Sequence, residues 1–126
     1  MCNVLVIDDD SASITLIALV LRRAGYDVYS ANNAVEGFEL AHHVRPNIIL
    51  LNDGMPHMSG GELCARIKNS RVTAAIPVVL VSAGPRIEDP IYIKNSGADG
   101  VLRKPYMPND LLNIISTHAI NPAACR

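Results

Sequence analysis

The sequence has no surplus of basic residues. Lys and Arg number 11 against 12 Asp and Glu, a formal net charge of −1. A domain so balanced has little with which to neutralise a run of phosphates, which argues against its gripping nucleic acid by itself. No uninterrupted apolar stretch reaches the ~18 residues of a membrane-spanning helix. The start, Met1-Cys2-Asn3, lacks the charged opening and apolar stretch of a signal peptide, so the expected location is the cytoplasm. There are 3 cysteines, Cys2, Cys64 and Cys125, an odd set without a CxxC spacing. They read as free thiols of a reducing compartment rather than a disulfide framework. No glycine-rich phosphate loop follows the first strand-like segment, so nucleotide or flavin binding has no motif to rest on.

What is present is a chain of 126 residues, 49% apolar and 18% charged. That length falls within the usual ~100–200 residues of one domain, and the apolar share is too high for disorder. A chain of this size buries roughly two-thirds of its unfolded surface and needs no staple. One folded unit over 1–119 is expected, with 120–126 as a frayed tail.

Asn3-Val4-Leu5-Val6-Ile7 is a short run rich in β-branched residues and reads as a strand buried on both faces. Asp8-Asp9-Asp10-Ser11 ends it and supplies helix-starting side chains. Ile14, Ile17, Ala18 and Leu21 then recur at helical spacing, with Arg22 and Arg23 at the C-terminal end and Gly25 as a left-handed cap. Leu16, Leu19 and Val20 make this helix apolar nearly all round, so it is either deeply buried or turned toward a partner.

The unit repeats. Tyr26–Ser30 alternates like a half-buried edge strand, and Asn32-Asn33 caps a helix carrying Val35, Phe38 and Ala41 that Pro46 terminates. Asn47–Leu51 is a second fully apolar strand, Gly54 to Gly61 a turn-rich loop, and Leu63 and Ile67 mark a short helix. Pro77–Val81 is the next strand. Pro85 and Pro90 bracket a loop, and Pro90 opens a helix to about Ser96. Val101-Leu102 is a short fifth strand, and Pro108-Asn109-Asp110 starts a last helix with Leu111, Leu112, Ile114 and Ile115. Strand and helix alternate five times, which implies an α/β domain whose parallel sheet is covered on both faces. Ligands of such sheets sit at the carboxyl ends of the strands.

At those ends stand Asp8, Asp9 and Asp10; Asn52 and Asp53; Ser82; and Lys104-Pro105. Clustered carboxylates are the hard-oxygen environment of Mg²⁺, and a hydroxyl with an ammonium suits phosphoryl oxygens. Taken singly, the aspartates are ordinary helix caps and Ser82 an ordinary strand-ending residue.

Together and in order, these elements resemble the receiver domain of two-component response regulators, over about Asn3 to His118. The acidic pair matches Asp8-Asp9, and the loop after the third strand matches Asn52-Asp53-Gly54-Met55-Pro56-His57-Met58-Ser59-Gly60. The hydroxyl matches Ser82 before Ala83, the Gly-Ala-Asp turn matches Gly97-Ala98-Asp99, and the lysine–proline pair matches Lys104-Pro105. The resemblance implies a flavodoxin-like, doubly wound five-stranded parallel sheet in the order 2-1-3-4-5. It implies Mg²⁺ held by Asp9, by Asp8 through water and by the backbone carbonyl of Gly54. It also implies a phosphoryl pocket containing Ser82 and Lys104, and a cis bond at Pro105.

Two departures qualify this. Asn52 stands four residues before Pro56 and eight before Gly60, the place where the family carries the aspartate that accepts a phosphoryl group from a histidine kinase. A carboxylate can attack phosphorus, whereas a carboxamide is a poor nucleophile and a weaker metal ligand. Asp53, next in the chain, is a possible displaced acceptor, although alternation along the strand points it away from the pocket. The second departure is Val101, three residues before Lys104, where many receivers carry a Tyr or Phe that swings with phosphorylation. A β-branched side chain has no ring to swing, so a switch through Ser82 and position 101 is compromised. Two departures in one direction read as natural degeneration rather than a single engineered change.

The expected function is therefore that of a receiver in phosphorelay signalling with impaired phosphorylation and weak or absent Mg²⁺ binding. Alternatively it is a constitutive pseudo-receiver that works by protein–protein contact. Its partner would be a histidine kinase or other signalling protein, with a homodimer through the fourth helix, fifth strand and fifth helix as a further expectation. An aspartate-nucleophile hydrolase lacks its nucleophile at position 52, so no enzyme activity is expected. His42-His43 are adjacent and face different ways on a helix, which opposes a two-histidine metal site. His57 and His118 have no visible partners in the sequence.

Overall fold

Each apolar run becomes a strand, and each following amphipathic segment folds back over the sheet. In the computed structural model, which describes residues 2–120, the elements are β1 (Asn3–Ile7), α1 (Ser11–Arg23), β2 (Asp27–Ala31), α2 (Ala34–Val44), β3 (Ile48–Asn52), α3 (Gly60–Lys68), β4 (Val78–Ser82), α4 (Pro90–Ser96), β5 (Gly100–Arg103) and α5 (Pro108–His118). The strands pair in parallel in the order β2-β1-β3-β4-β5. The chain leaves β1 in one direction to β2 and returns on its other side to β3. The order therefore reverses between β1 and β3, and this reversal opens a crevice at their carboxyl ends.

Side chains alternate across a strand, and here the alternation sorts the apolar residues into two cores. Val4, Val6, Ile48, Leu50, Val79 and Val81 pack with Ile17 and Leu21 of α1 and with Leu111 and Ile115 of α5. Leu5, Ile7, Ile49, Leu51, Val78 and Leu80 pack with Ala41 of α2, with Leu63 and Ile67 of α3 and against Ile93 of α4. Both faces of β1, β3 and β4 are thus covered, which is why these strands read as continuous apolar runs.

Local chemistry sets the helix ends. The side chains of Asp10, Asn33, Ser59 and Asp89 accept from the first-turn N–H groups of α1, α2, α3 and α4. Gly25 and Gly97 adopt the positive φ expected after a helix. Lys68, at the end of α3, donates to the carbonyls of Ala74 and Ile76 and to Asp99, tying that helix to two turns.

The structure departs from the sequence pattern in several places. The second strand begins at Asp27 because the Tyr26 N–H closes a turn onto the Leu21 carbonyl, and the strand extends to Ala31 opposite Ile7. The segment between Pro85 and Pro90 holds a 3₁₀ turn over Pro85–Glu88. Ile120, assigned to the tail, exchanges hydrogen bonds with Asn47, so the order continues past residue 119. The rest of the expected tail, 121–126, lies outside the described residues. Cys64 is a free, buried thiol, whereas Cys2 is disulfide-bonded, which corrects the expectation of a free thiol there. Cys125 lies outside the described residues. Helix α1 is not deeply buried all round, since Leu16 is 65% exposed.

The two cores predict a sharp contrast. Leu50→Ala should cost about 2–5 kcal/mol through its lost burial and the cavity left behind, and Leu16→Ala about 0.5 kcal/mol or less. Urea denaturation of both variants measures the difference.

Candidate functional site

The crevice between β1 and β3 is built first by the three aspartates, and the structure divides their labour. Asp10 caps α1, its carboxylate accepting from the Ala12 N–H at 3.1 Å and the Ser13 hydroxyl at 2.9 Å. Asp8 is buried, and one of its oxygens accepts from the Asp10 N–H at 2.9 Å. Asp9 stays exposed at the rim. Burial pushes the Asp8 carboxyl upward, helped by Asp9 beside it, while the Asp10 N–H and Lys104 pull it down. Tyr106 lies close enough for the Asp8 charge to act with burial in raising its phenol.

Asn52 ends β3 on the side that carries Ile48 and Leu50, and it enters the crevice. Its amide nitrogen donates to Asp9 Oδ1 at 3.3 Å, and its oxygen accepts from Lys104 Nζ at 3.3 Å. This orientation follows from chemistry, since an ammonium has nothing to accept with and a carboxylate nothing to donate. Lys104 Nζ also lies 3.8 Å from Asp8 Oδ2. The pocket is thus a chain of charges with a neutral amide at its centre. Its one cation is already engaged on two sides.

Ser82 stands at the end of β4, where the Lys104 backbone N–H donates to its carbonyl at 3.0 Å. Its hydroxyl accepts from the Gly84 N–H at 2.9 Å. Gly54 lies on the exposed loop after β3. The Lys104–Pro105 bond is cis. Val101 lies on β5 opposite Leu80, 39% exposed.

Asp53 does not reach this pocket. It is 1% exposed and turns to the opposite face of the sheet. There Oδ1 accepts from the Gly61 N–H at 2.9 Å and the Tyr92 hydroxyl at 2.5 Å. Oδ2 lies 3.0 Å from Arg86 Nε, but that N–H is not aimed at it, so the contact is one of charge rather than a directed hydrogen bond. A carboxylate so placed is withdrawn from the Lys104 side of the sheet. Tyr92, Arg86 and Ser59, whose hydroxyl oxygen lies 3.1 Å from that of Tyr92, are partners that the sequence reading missed. Their signal was Asp53 itself, since a charge on the buried side of a strand end requires partners there.

The remaining candidates are structural. His42 bonds the Phe38 carbonyl and the Ser70 hydroxyl, both at 2.8 Å. His57 is an exposed loop residue with φ of 68°. Burial holds the Cys64 thiol at about 12, far from a nucleophilic thiolate. Among the described residues no three His, Cys, Asp or Glu side chains gather closely enough to hold a metal. The oxygen set of Asp8, Asp9 and the Gly54 carbonyl fits a hard cation that keeps several of its waters. The amide of Asn52 turns its hydrogens toward Asp9.

A family model for the response regulator receiver domain matches residues 4–116. The chain is 38% identical over 112 residues to the DNA-binding dual master transcriptional regulator RpaA of Synechocystis, a match covering 89% of this chain and 46% of that one. It spans about half the length of the first curated relatives it matches. The chemotaxis protein CheY4 of Vibrio cholerae superposes with a TM-score of 0.87 at 27% identity, covering 94% of this chain and 98% of that one. The receiver domain of the sensor histidine kinase PA1611 of Pseudomonas aeruginosa, solved with a magnesium ion coordinated in its active site cleft, shares the fold with a TM-score of 0.84. Its identity is 21%, over 93% of this chain and 96% of that one.

The loop geometry separates two glycines. A Cβ on Gly60 would lie 2.7 Å from the Asn52 carbonyl oxygen and the Asp53 Cα, whereas one on Gly54 meets nothing within 4 Å. Gly60→Ala should therefore cost about 1–3 kcal/mol as β3 and α3 are forced apart, and Gly54→Ala no more than about 0.5 kcal/mol. Denaturant midpoints read both.

Proposed function

The chain belongs to the response regulator receiver domain family, and we propose that within it this chain is a receiver whose phosphoryl acceptance is blocked at Asn52. The observation that carries this is the placement of the Asn52 carboxamide between Asp9 and Lys104. An acceptor in that position needs a free lone pair of high nucleophilicity and a negative charge that a cation can neutralise. The amide supplies neither. Ser82 and Lys104 remain as groups able to bind phosphoryl oxygens, and Asp8, Asp9 and the Gly54 carbonyl as the residues that would hold Mg²⁺. When bound, that ion would neutralise charge on phosphoryl oxygens. Replacing a carboxylate by an amide removes one negative charge next to the ion and loosens it. Asp53, enclosed on the opposite face of the sheet, takes no part as an acceptor.

Signalling then rests on contact with a partner, a histidine kinase or another signalling protein. The feature that favours a binding role is the apolar surface left open on α4 and β5, where Ile91 is 71% exposed and Val101 joins it. This face, continued by α5, is the proposed site of homodimerisation. With Val101 in place of a ring, that surface is not remodelled by a swinging aromatic at this position. No helix among the described residues is long and apolar enough to cross a membrane, and the proposed location is the cytoplasm.

Intact mass after incubation with Mg²⁺ and acetyl phosphate tests the block. The parent should gain no phosphoryl group, and Asn52→Asp should gain one. A phosphorylated parent overturns the reading, and failure of both proteins assigns the domain to binding alone. In a Mg²⁺ titration the parent should bind about tenfold or more weakly than Asn52→Asp, the scale set by one charge at contact distance screened by bulk water.

A further inference from the structure

The carboxylate of Asp53 is the most completely enclosed charge described in the molecule, and the pocket chemistry does not use it. It stands at the end of β3, yet each of its contacts belongs to another element. Gly61 is in the first turn of α3, Tyr92 is in α4, and Arg86 is in the 3₁₀ turn between β4 and α4. Arg86 also donates to the Asp53 carbonyl at 3.3 Å, and its guanidinium carbon lies 5.3 Å from the Tyr92 ring centroid. Gly61 is matched to this arrangement, because a Cβ there would collide with the Tyr92 hydroxyl.

We propose that Asp53 is a clamp, a positioning residue that holds the 3₁₀ turn and α4 against the end of β3 whatever stands at position 52. A buried carboxylate loses its hydration and is tolerated only where protein donors replace it. The donors here are the segments that would otherwise be free to shift. Tyr92 follows Ile91 directly, so the clamp fixes where that exposed side chain is presented. The clamp has one firm side and one releasable side. Oδ1 is held by two directed hydrogen bonds, whereas Oδ2 is held by the charge of Arg86, whose side chain is 51% exposed. This inference is independent of phosphoryl chemistry at Asn52 and is tested without a phosphodonor.

The experiment is amide hydrogen exchange on the full chain, comparing the parent with Asp53→Asn, Tyr92→Phe, Arg86→Gln and Asn52→Asp. Asp53→Asn keeps the shape and removes the charge. Exchange over residues 85–97 should rise about tenfold or more, while the core amides of β1 and β3 stay within about twofold, as expected for local rather than global opening. Arg86→Gln should raise exchange in the same segment by a smaller factor. Asn52→Asp should leave that segment as it is in the parent. An unchanged segment in Asp53→Asn overturns the proposal, as does a uniform rise across the whole chain. An effect of Asn52→Asp as large as that of Asp53→Asn overturns it too. If Asp53→Asn does not fold, Tyr92→Phe, which removes one hydroxyl, decides the matter by the same criteria.

Discussion

The two-residue period of a strand governs the chemistry of this domain. At the end of β3 it sends Asn52 to one face of the sheet and Asp53 to the other. One residue joins a polar crevice that opens to solvent, and the other is enclosed among α3, α4 and the turn before it. Shifting the strand by a single residue would exchange the two environments, burying the amide and presenting the carboxylate to Lys104. Eight buried aliphatic residues on β1 and β3, from Val4 to Leu51, hold that register against such a shift.

Given the register, the pocket becomes an electrostatic problem with few participants. Asp8 and Asp9 repel one another, Lys104 attracts Asp8, and the amide of Asn52 bridges Lys104 and Asp9 without adding charge. The arrangement is self-satisfied. The donor of the amide meets a carboxylate, and its acceptor meets an ammonium. A carboxylate at the same place would leave two negative charges facing each other across the crevice, an arrangement that calls for a cation. In the proposed function, one nitrogen in place of one oxygen separates a pocket that recruits ligands from one that has internal partners.

Much of this was legible in the chain. The strands announced themselves because both faces of β1, β3 and β4 are buried, so that apolar runs and strands coincide. The pocket residues were legible because parallel topology gathers the strand ends, and Asp8, Asp9, Asn52, Ser82 and Lys104 each follow an apolar run. What stayed hidden depended on contacts between segments far apart in sequence. Nothing near Tyr92 or Arg86 marks them as partners of a residue more than thirty positions earlier. The split roles of the three aspartates stayed hidden as well, because capping and ligation use the same side chain. The start of β2 was misplaced by one residue because Tyr26 looks like a strand residue but spends its N–H on a turn.

The sheet separates two apolar cores that share no side chain. For the history of such a sequence this is a kind of modularity. A change of volume under α1 and α5 is answered by neighbours on that side alone, and the face under α2, α3 and α4 need not adjust. The two halves are free to drift at different rates, each under its own packing constraint. The carboxyl edge of the sheet, where loops from both layers meet, is the place where a substitution must satisfy both at once.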